Sequence, residues 1–471
     1  MISVFKINDP YRLLPVFLIL IILRLPFILN ISQTTVPELE WLVLGEKLSS
    51  GARLYIDVYD PTGPLTAGIY WIFNVLFGRS LIPLHITALL LIMIQSSFLS
   101  FMLINHRAFH LNTYIPSLIF VILMSFYPDA TILSPQLISM FFLLLSFNLI
   151  MRHIESREKS DWVVLYAGIF IGLAGLAYLP SSLFIVSTFF AFLLFTNTIP
   201  RRYFLLIYGF MVPFILIWIY FYWRDQSGML FDNYFKSFFY KSADPFFSYG
   251  SLLMLIVGPF VFLIFSLYLI LTRSNLISIQ LILQNFMFII LITTFLVISL
   301  DYYYAPHNLI LFFIPLSFFI SQIFILLKKR WLVEVMFLIF LVATLFHAII
   351  FYSGIFRQDK VDNSEKLYVS EDKNLSMIKG RKILYIGDRP DIYYNARLAT
   401  PFLCWAISGK YFENLNDPDN LIKVTQNISD DLPEVIIDYE GKIKKLFEMS
   451  PVLASKFKEQ KTKGIYYLEK N

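Results

Sequence analysis

The chain has 471 residues, of which 58% are hydrophobic, 18% aromatic and only 15% charged, with a net charge of +5. A soluble chain of this length carries more charge, and many apolar runs reach the roughly 20 residues that cross a bilayer, so this reads as an α-helical polytopic membrane protein. The single cysteine, Cys404, excludes an internal disulfide framework and a cysteine-based metal cluster, and no basic patch with interleaved aromatics points to nucleic acid.

The first expected span covers residues 13–31 and is taken as a retained helix, because no small-residue cleavage site follows it. It carries Arg24, read either as snorkelling to an interface or as functional. Next comes the polar segment 36–65, VPELEWLVLGEKLSSGARLYIDVYDPTGPL, which holds Glu38, Glu40, Asp57 and Asp60 beside the membrane. A desolvated carboxylate costs kilocalories, so this segment is read as the working surface. Thr35 followed by Glu38 predicts a capping box and a helix that runs to about Ser49 and stops at Gly51. Residues 66–78, TAGIYWIFNVLFG, are short and aromatic and read as an interfacial helix on the same side.

Ten further spans are expected at about 81–104, 112–128, 131–150, 162–179, 181–199, 203–223, 251–272, 275–300, 308–327 and 331–353, giving about 11 spans in all. Lys and Arg then collect on one side, at Lys6, Arg12, Arg107, Arg152 and Lys328 among others. That bias places the N-terminus in the cytoplasm and puts the loop 32–80, the loop 224–250 and the tail outside. The tail changes composition. Residues 382–387, 434–438 and 464–469 read as strands and 390–397 and 442–457 as helices. The expectation is a membrane domain over 1–354 and a small extracytoplasmic α/β domain over 355–471.

The first loop resembles that of GT-C membrane glycosyltransferases, relatives of protein O-mannosyltransferases and the lipid A aminoarabinose transferase. The shared pattern is an acidic pair, a short helix, Gly, then Tyr55-x-Asp57, the pair Tyr59 and Asp60, and Pro64-Leu65. HNLILFFIP, after Tyr302–Pro306, is similar to their His-led late span, and KILYIGDRPDIYYNARLATPF to the opening of their tail domain. The resemblance covers nearly the whole chain in outline. It implies a GT-C-like fold and a cell-envelope transferase that moves a sugar from a polyprenyl-phosphate lipid to an extracytoplasmic acceptor (protein, lipid or glycan), with a bacterial inner membrane as its expected place.

Such chemistry needs a carboxylate for the acceptor proton and a donor for the leaving phosphate. Glu38 is the expected base and Glu40 the alternative; two residues apart on a helix, they point to nearly opposite faces. Glu38 shares its face with Gly45 and Ser49, whose small side chains are expected to leave room for an acceptor. Asp129, in YPDA, reads as a second acid or metal ligand, or as a solvated loop residue. For the phosphate the candidates are Arg53, Arg224, Lys241 and His307, and His307 also fits an interfacial anchor. Tyr59 and Tyr303, with Glu40, Arg53, Asp57, Asp60 and His307, complete the candidate substrate-binding set; Asp57 and Asp60 also fit turn chemistry. The chain departs from the family pattern at three places. One acid of the first-loop pair is missing, Pro135 and Gln136 stand where a second acid is usual, and Tyr178 and Leu179 stand where a Lys is usual. A catalytically inactive relative serving as an assembly partner, or a polysaccharide polymerase or flippase, therefore stays as an alternative. Metal dependence is open, since no cluster of His and acids has ligand spacing, and a divalent cation is the one cofactor in view.

Overall fold

The computed structural model describes residues 2–29, 34–125, 128–155, 160–239, 246–273, 276–301, 304–353, 367–369, 378–459 and 464–469. The chain divides into two compact units. Met1–Ile31, Leu81–Ile219 and Phe246–Asn363 form one; Ser32–Ser80, Tyr220–Pro245 and Ser364–Asn471 form the other.

The first unit is helical. Backbone amides in hydrocarbon find no water, so each apolar run closes its own hydrogen bonds as a helix. Eleven apolar helical segments are described: Leu13–Leu29, Ile82–Asn105, Ile115–Met124, Pro135–Glu155, Asp161–Ala177, Leu179–Phe195, Pro200–Trp223, Val257–Arg273, Ser278–Ser299, Pro306–Leu326 and Arg330–Ser353. Five of them, Ile82–Asn105, Pro135–Glu155, Pro200–Trp223, Ser278–Ser299 and Pro306–Leu326, are long and apolar enough to cross a membrane. The protein is thus an integral membrane protein, and its segments fall within a few residues of the expected spans. Proline stands in the first turn of several, as at Pro116, Pro135, Pro200 and Pro306, where its missing N–H costs nothing. Outward faces carry Leu194, Phe204, Leu216, Ile264 and Leu271 in exposed positions, as a surface solvated by lipid requires. Pro306–Leu326, by contrast, is buried nearly throughout.

Arg24 does not snorkel to an interface. It is 1% exposed, and its Nη2 donates to the carbonyl of Met124. Met124 ends the helix Ile115–Met124, whose last carbonyls have no partner within the helix. The buried guanidinium gives that carbonyl a donor.

Two helices of this unit meet through glycine. A Cβ on Gly168 would lie 2.3 Å from the Leu206 carbonyl oxygen, and one on Gly209 would lie 2.3 Å from that of Leu165. Small residues let membrane helices pack backbone to backbone, which is the main source of attraction between them in lipid.

The second unit contains a five-stranded sheet, with β1 Lys382–Ile386, β2 Arg397–Leu398, β3 Val435–Asp438, β4 Phe457–Glu459 and β5 Ile465–Leu468. The order is β2-β1-β3-β5-β4; β1 is parallel to β2 and β3, while β5 is antiparallel to β3 and β4. One face presents Ile383 and Tyr385 beside Val435 and Ile437, and these pack in one apolar core with Leu39, Val43 and Leu44 of the first-loop helix Val36–Ser49. That helix is buried on every side from Val36 to Gly45. A second helix, Pro64–Phe77, lies across it: a Cβ on Gly45 would come within 2.7 Å of the Tyr70 carbonyl oxygen. It buries Thr66, Ala67 and Tyr70 and leaves Trp71, Ile72, Val75, Leu76 and Phe77 exposed.

Three expectations are corrected here. Residues 390–397 are helical only in part: a five-residue 3-10 helix, Pro390–Tyr394, ends before β2, because Arg397 and Leu398 are taken up by pairing with Lys382 and Ile383. The stretch 442–457 is broken at Pro451 into Lys442–Met449 and Pro451–Ala454, and Phe457 opens β4. Thr35 does not form a capping box, for its side chain makes no cap bond; its backbone is held extended by an antiparallel bridge to Tyr368. Two helices, Trp405–Glu413 and Pro418–Asp430, were not anticipated.

The glycine contact gives a direct test. Gly209→Leu would drive a side chain into the Leu165 carbonyl, and such overpacking costs about 1–3 kcal/mol. The thermal midpoint of the purified protein is expected to fall; an unchanged midpoint would speak against this helix contact.

Candidate functional site

Within the first unit, a cluster of buried polar side chains gathers at helix ends. Asp129 lies in the tight turn Pro128–Thr131, and His307 lies in the first turn of Pro306–Phe312. The two are 1% and 3% exposed. Asp129 Oδ2 accepts the backbone N–H of His307 at 2.9 Å and binds its ring Nδ1 at 2.8 Å. The carboxylate therefore does two things. It satisfies an N–H at the start of a helix, which has no partner within the helix, and it fixes the imidazole with its proton on Nδ1. Nε2 is left as an acceptor in the neutral ring and a donor in the charged one. Asp129 Oδ1 is buried with no hydrogen-bond partner among the described residues. The reading of Asp129 as a solvated loop residue is thus overturned, and His307 is no interfacial anchor, because a membrane anchor needs a wet edge and this ring has none.

A second layer sits beside this pair. Asp301 Oδ2 accepts the Tyr178 hydroxyl at 2.6 Å and Gln136 Nε2 at 3.1 Å, and the same Gln136 nitrogen reaches Asn308 Oδ1 at 3.0 Å. Gln136 opens one helix, Tyr178 closes another, Asp301 follows a third, and Asn308 adjoins His307. Gln136 and Tyr178 are two of the positions at which the chain departs from the GT-C pattern, and the structure brings both to one carboxylate. Sequence reasoning passed over Asp301 and Asn308. The available signal was a lone acid at the end of an apolar run, which membrane proteins keep only with partners.

In the second unit, Glu38 and Glu40 are 2% and 8% exposed, so burial does not choose between them. Glu38 lies on the helix face that carries Gly45, about two turns away, and the space expected beside Gly45 is filled by the backbone at Tyr70. A residue without a side chain admits a neighbouring helix as readily as a ligand. Asp57 grips Arg53: Oδ2 accepts its backbone N–H at 2.8 Å and its Nε at 2.9 Å, and Oδ1 accepts Nη2 at 2.9 Å. That bonding holds the Asp57 carboxyl below its ordinary range and engages the guanidinium proposed for phosphate. Asp60 is buried and accepts the Thr62 N–H at 2.7 Å, the turn role; burial pushes its carboxyl up. Tyr59 packs against Phe402 and Tyr411, and its hydroxyl accepts from Asn427 at 3.2 Å. Arg224 stacks over Tyr220 at 4.9 Å. Tyr303 and Lys241 lie outside the described residues. Among the described residues, no three His, Cys, Asp or Glu side chains gather as a metal site.

No protein-family model matches the chain, and no protein of described function matches it by sequence. By structure it is similar to the oligosaccharyltransferase of Archaeoglobus fulgidus in its apo form, with a TM-score of 0.51 and 12% identity, over 90% of this chain and 69% of that one. It is also similar to ArnT from Cupriavidus metallidurans bound to undecaprenyl phosphate, with a TM-score of 0.46 and 11% identity, over 93% and 88% of the two chains. The first likeness establishes the fold, and it agrees with the GT-C resemblance of the first loop.

The Asp129–His307 pair can be tested through stability. Asp129→Ala leaves the buried His307 N–H and ring without their acceptor, at about 1–3 kcal/mol per unsatisfied group. Asp129→Asn keeps one oxygen and is expected to cost less. Thermal unfolding of the two variants should rank them in that order; the reverse ranking would sink the described hydrogen bonds.

Proposed function

We propose that this protein transfers a sugar from a polyprenyl-phosphate lipid to an acceptor hydroxyl or amine outside the cytoplasm. The observation that carries the reading is the buried Asp129–His307 pair, set among helix ends in a chain that has the fold of an oligosaccharyltransferase. In the reaction, the bond between the anomeric carbon and the carrier phosphate oxygen breaks and a bond to the acceptor forms. The acceptor proton passes to a carboxylate, and the phosphate leaves with the lipid. Glu38 is the base in this reading, Asp129 the second acid, and His307 the group that donates to the departing phosphate. A lipid-borne donor accounts for working groups buried in a membrane protein. The exposed aromatic and aliphatic face of Pro64–Phe77 suits a helix lying in the membrane interface.

The alternative of an inactive assembly partner draws support from Tyr70, whose backbone takes up the space beside Gly45. Activity decides between the two. Lipid-linked sugars and glycans are compared in cells that lack the gene and in cells that carry it or a variant. Glu38→Gln is expected to reduce transfer by about 10²–10⁴-fold, the usual loss on removing a general base, and Glu40→Gln by far less. A reversed order would reassign the base, full activity in both would remove the catalytic reading of this loop, and no difference in glycans between cells with and without the gene would remove the transferase reading.

The orientation is proposed from the Lys and Arg bias of the loops. A reporter fused after Lys470 is expected to be active only outside the cytoplasm; activity inside would overturn the orientation.

A further inference from the structure

The second unit holds a cleft of about 450 Å³, a size ordinary for small-molecule sites. Its walls come from the first-loop helix, from β1 and β2, and from the end of the helix Pro418–Asp430. Three cationic and four acidic side chains line it, so its charge balances to within one unit. At its centre Asp431 binds two ammonium groups, Lys47 and Lys382, the second at 2.9 Å, and accepts the Thr400 N–H at 3.3 Å. Burial alone would raise the Asp431 carboxyl, but the two lysines outweigh it and hold it below its ordinary range. Lys47 donates further to the Leu398 carbonyl at 3.1 Å. The charged groups are therefore fixed in place by one another and by the backbone.

Thr400, in the wall, is unusual on two independent counts. Its φ is +64°, a left-handed conformation that a β-branched residue rarely adopts and that costs about 1–3 kcal/mol. Its hydroxyl is also buried without a hydrogen-bond partner among the described residues. Strain and an unmet polar group at a cleft wall are the marks of a surface kept for a ligand rather than for stability. No catalytic role has been given to this cleft: its side of the first-loop helix carries Val43, Glu46, Lys47 and Ser50, not Glu38.

We infer that this cleft binds a saccharide unit of the acceptor, away from the hydroxyl that reacts. Balanced charge disfavours a simple anion or cation. Fixed carboxylates, ammonium groups and the Asn427 amide, side by side, suit a neutral ligand that offers many hydroxyls as both donors and acceptors. The inference deepens the transferase reading and rests on it for the word acceptor; the binding itself does not.

The test uses the full chain in phospholipid nanodiscs, which avoids sugar-based detergents, and saturation-transfer NMR with cellobiose, maltose and chitobiose as probes. At least one disaccharide is expected to receive saturation. Ala52→Trp, which fills the cleft, and Asp430→Ala should weaken that binding at least tenfold. Thr400→Gly relieves the strain while removing the hydroxyl, and should raise the thermal midpoint yet weaken binding. Glu38→Gln should bind as the natural chain does. No transfer to any of the three sugars, transfer that survives Ala52→Trp, or binding of inorganic phosphate that Ala52→Trp abolishes in place of the sugars would each overturn the inference. Glycans and lipid-linked sugars that are unchanged in cells lacking the gene would remove the transferase reading while leaving a cleft that binds sugar.

Discussion

One face of the sheet, made by Ile383, Tyr385, Val435 and Ile437, needs an apolar cover, and the first loop supplies it. Leu39, Val43 and Leu44 enter that core, and the helix that bears them is buried on all sides through its first ten residues. Every other feature of the loop follows from this burial. The helix has no free face, so Gly45 must admit Tyr70 backbone, and the acids at Glu38 and Glu40 are carried into the interior with it. The rest of the loop is then tied down locally. Asp57 holds Arg53, Asp60 holds the Thr62 N–H, and the Tyr55 hydroxyl donates to the Thr62 carbonyl at 2.7 Å. Residues that look reactive in a list are here largely spent on making a rigid platform.

The membrane unit solves a different problem with similar means. Its helices need nothing from outside along their length, but their ends expose N–H and C=O groups that lipid cannot satisfy. Polar side chains gather where those ends meet. Arg24 serves a C-terminal carbonyl at Met124, and Asp129 serves an N-terminal amide at His307. The same arrangement that closes helix ends also concentrates chemistry. A buried imidazole held by a carboxylate is pre-organised for proton or hydrogen-bond traffic, and Asp301 with Tyr178 and Gln136 steadies its surroundings.

Legibility followed the range of the forces involved. The spans could be read because a bilayer demands long apolar runs whatever lies beside them. β1, β3 and β5 could be read because KILYI, VIID and IYYL are rich in strand-forming residues. The strand that begins at Arg397 could not, since its conformation is decided by the partner strand at Lys382 rather than by local preference. Asp129 and His307 were each identified, but the bond between them spans 178 positions, and one sequence carries no record of that distance. Gly45 was misread for a simpler reason: smallness signals close approach without saying what approaches.

The core shared by the first loop and the tail sets a condition on synthesis. Leu44 leaves the ribosome about 340 residues before Ile383, its neighbour in the finished core, and chains grow at roughly 5–20 residues per second. For on the order of tens of seconds, a helix that is buried on every side in the finished fold waits without its sheet. During that interval only lipid, Pro64–Phe77 or a chaperone can shield it. The order in which the chain is made thus imposes a vulnerable stage on its assembly, and a pause in translation anywhere between residues 50 and 380 would prolong it.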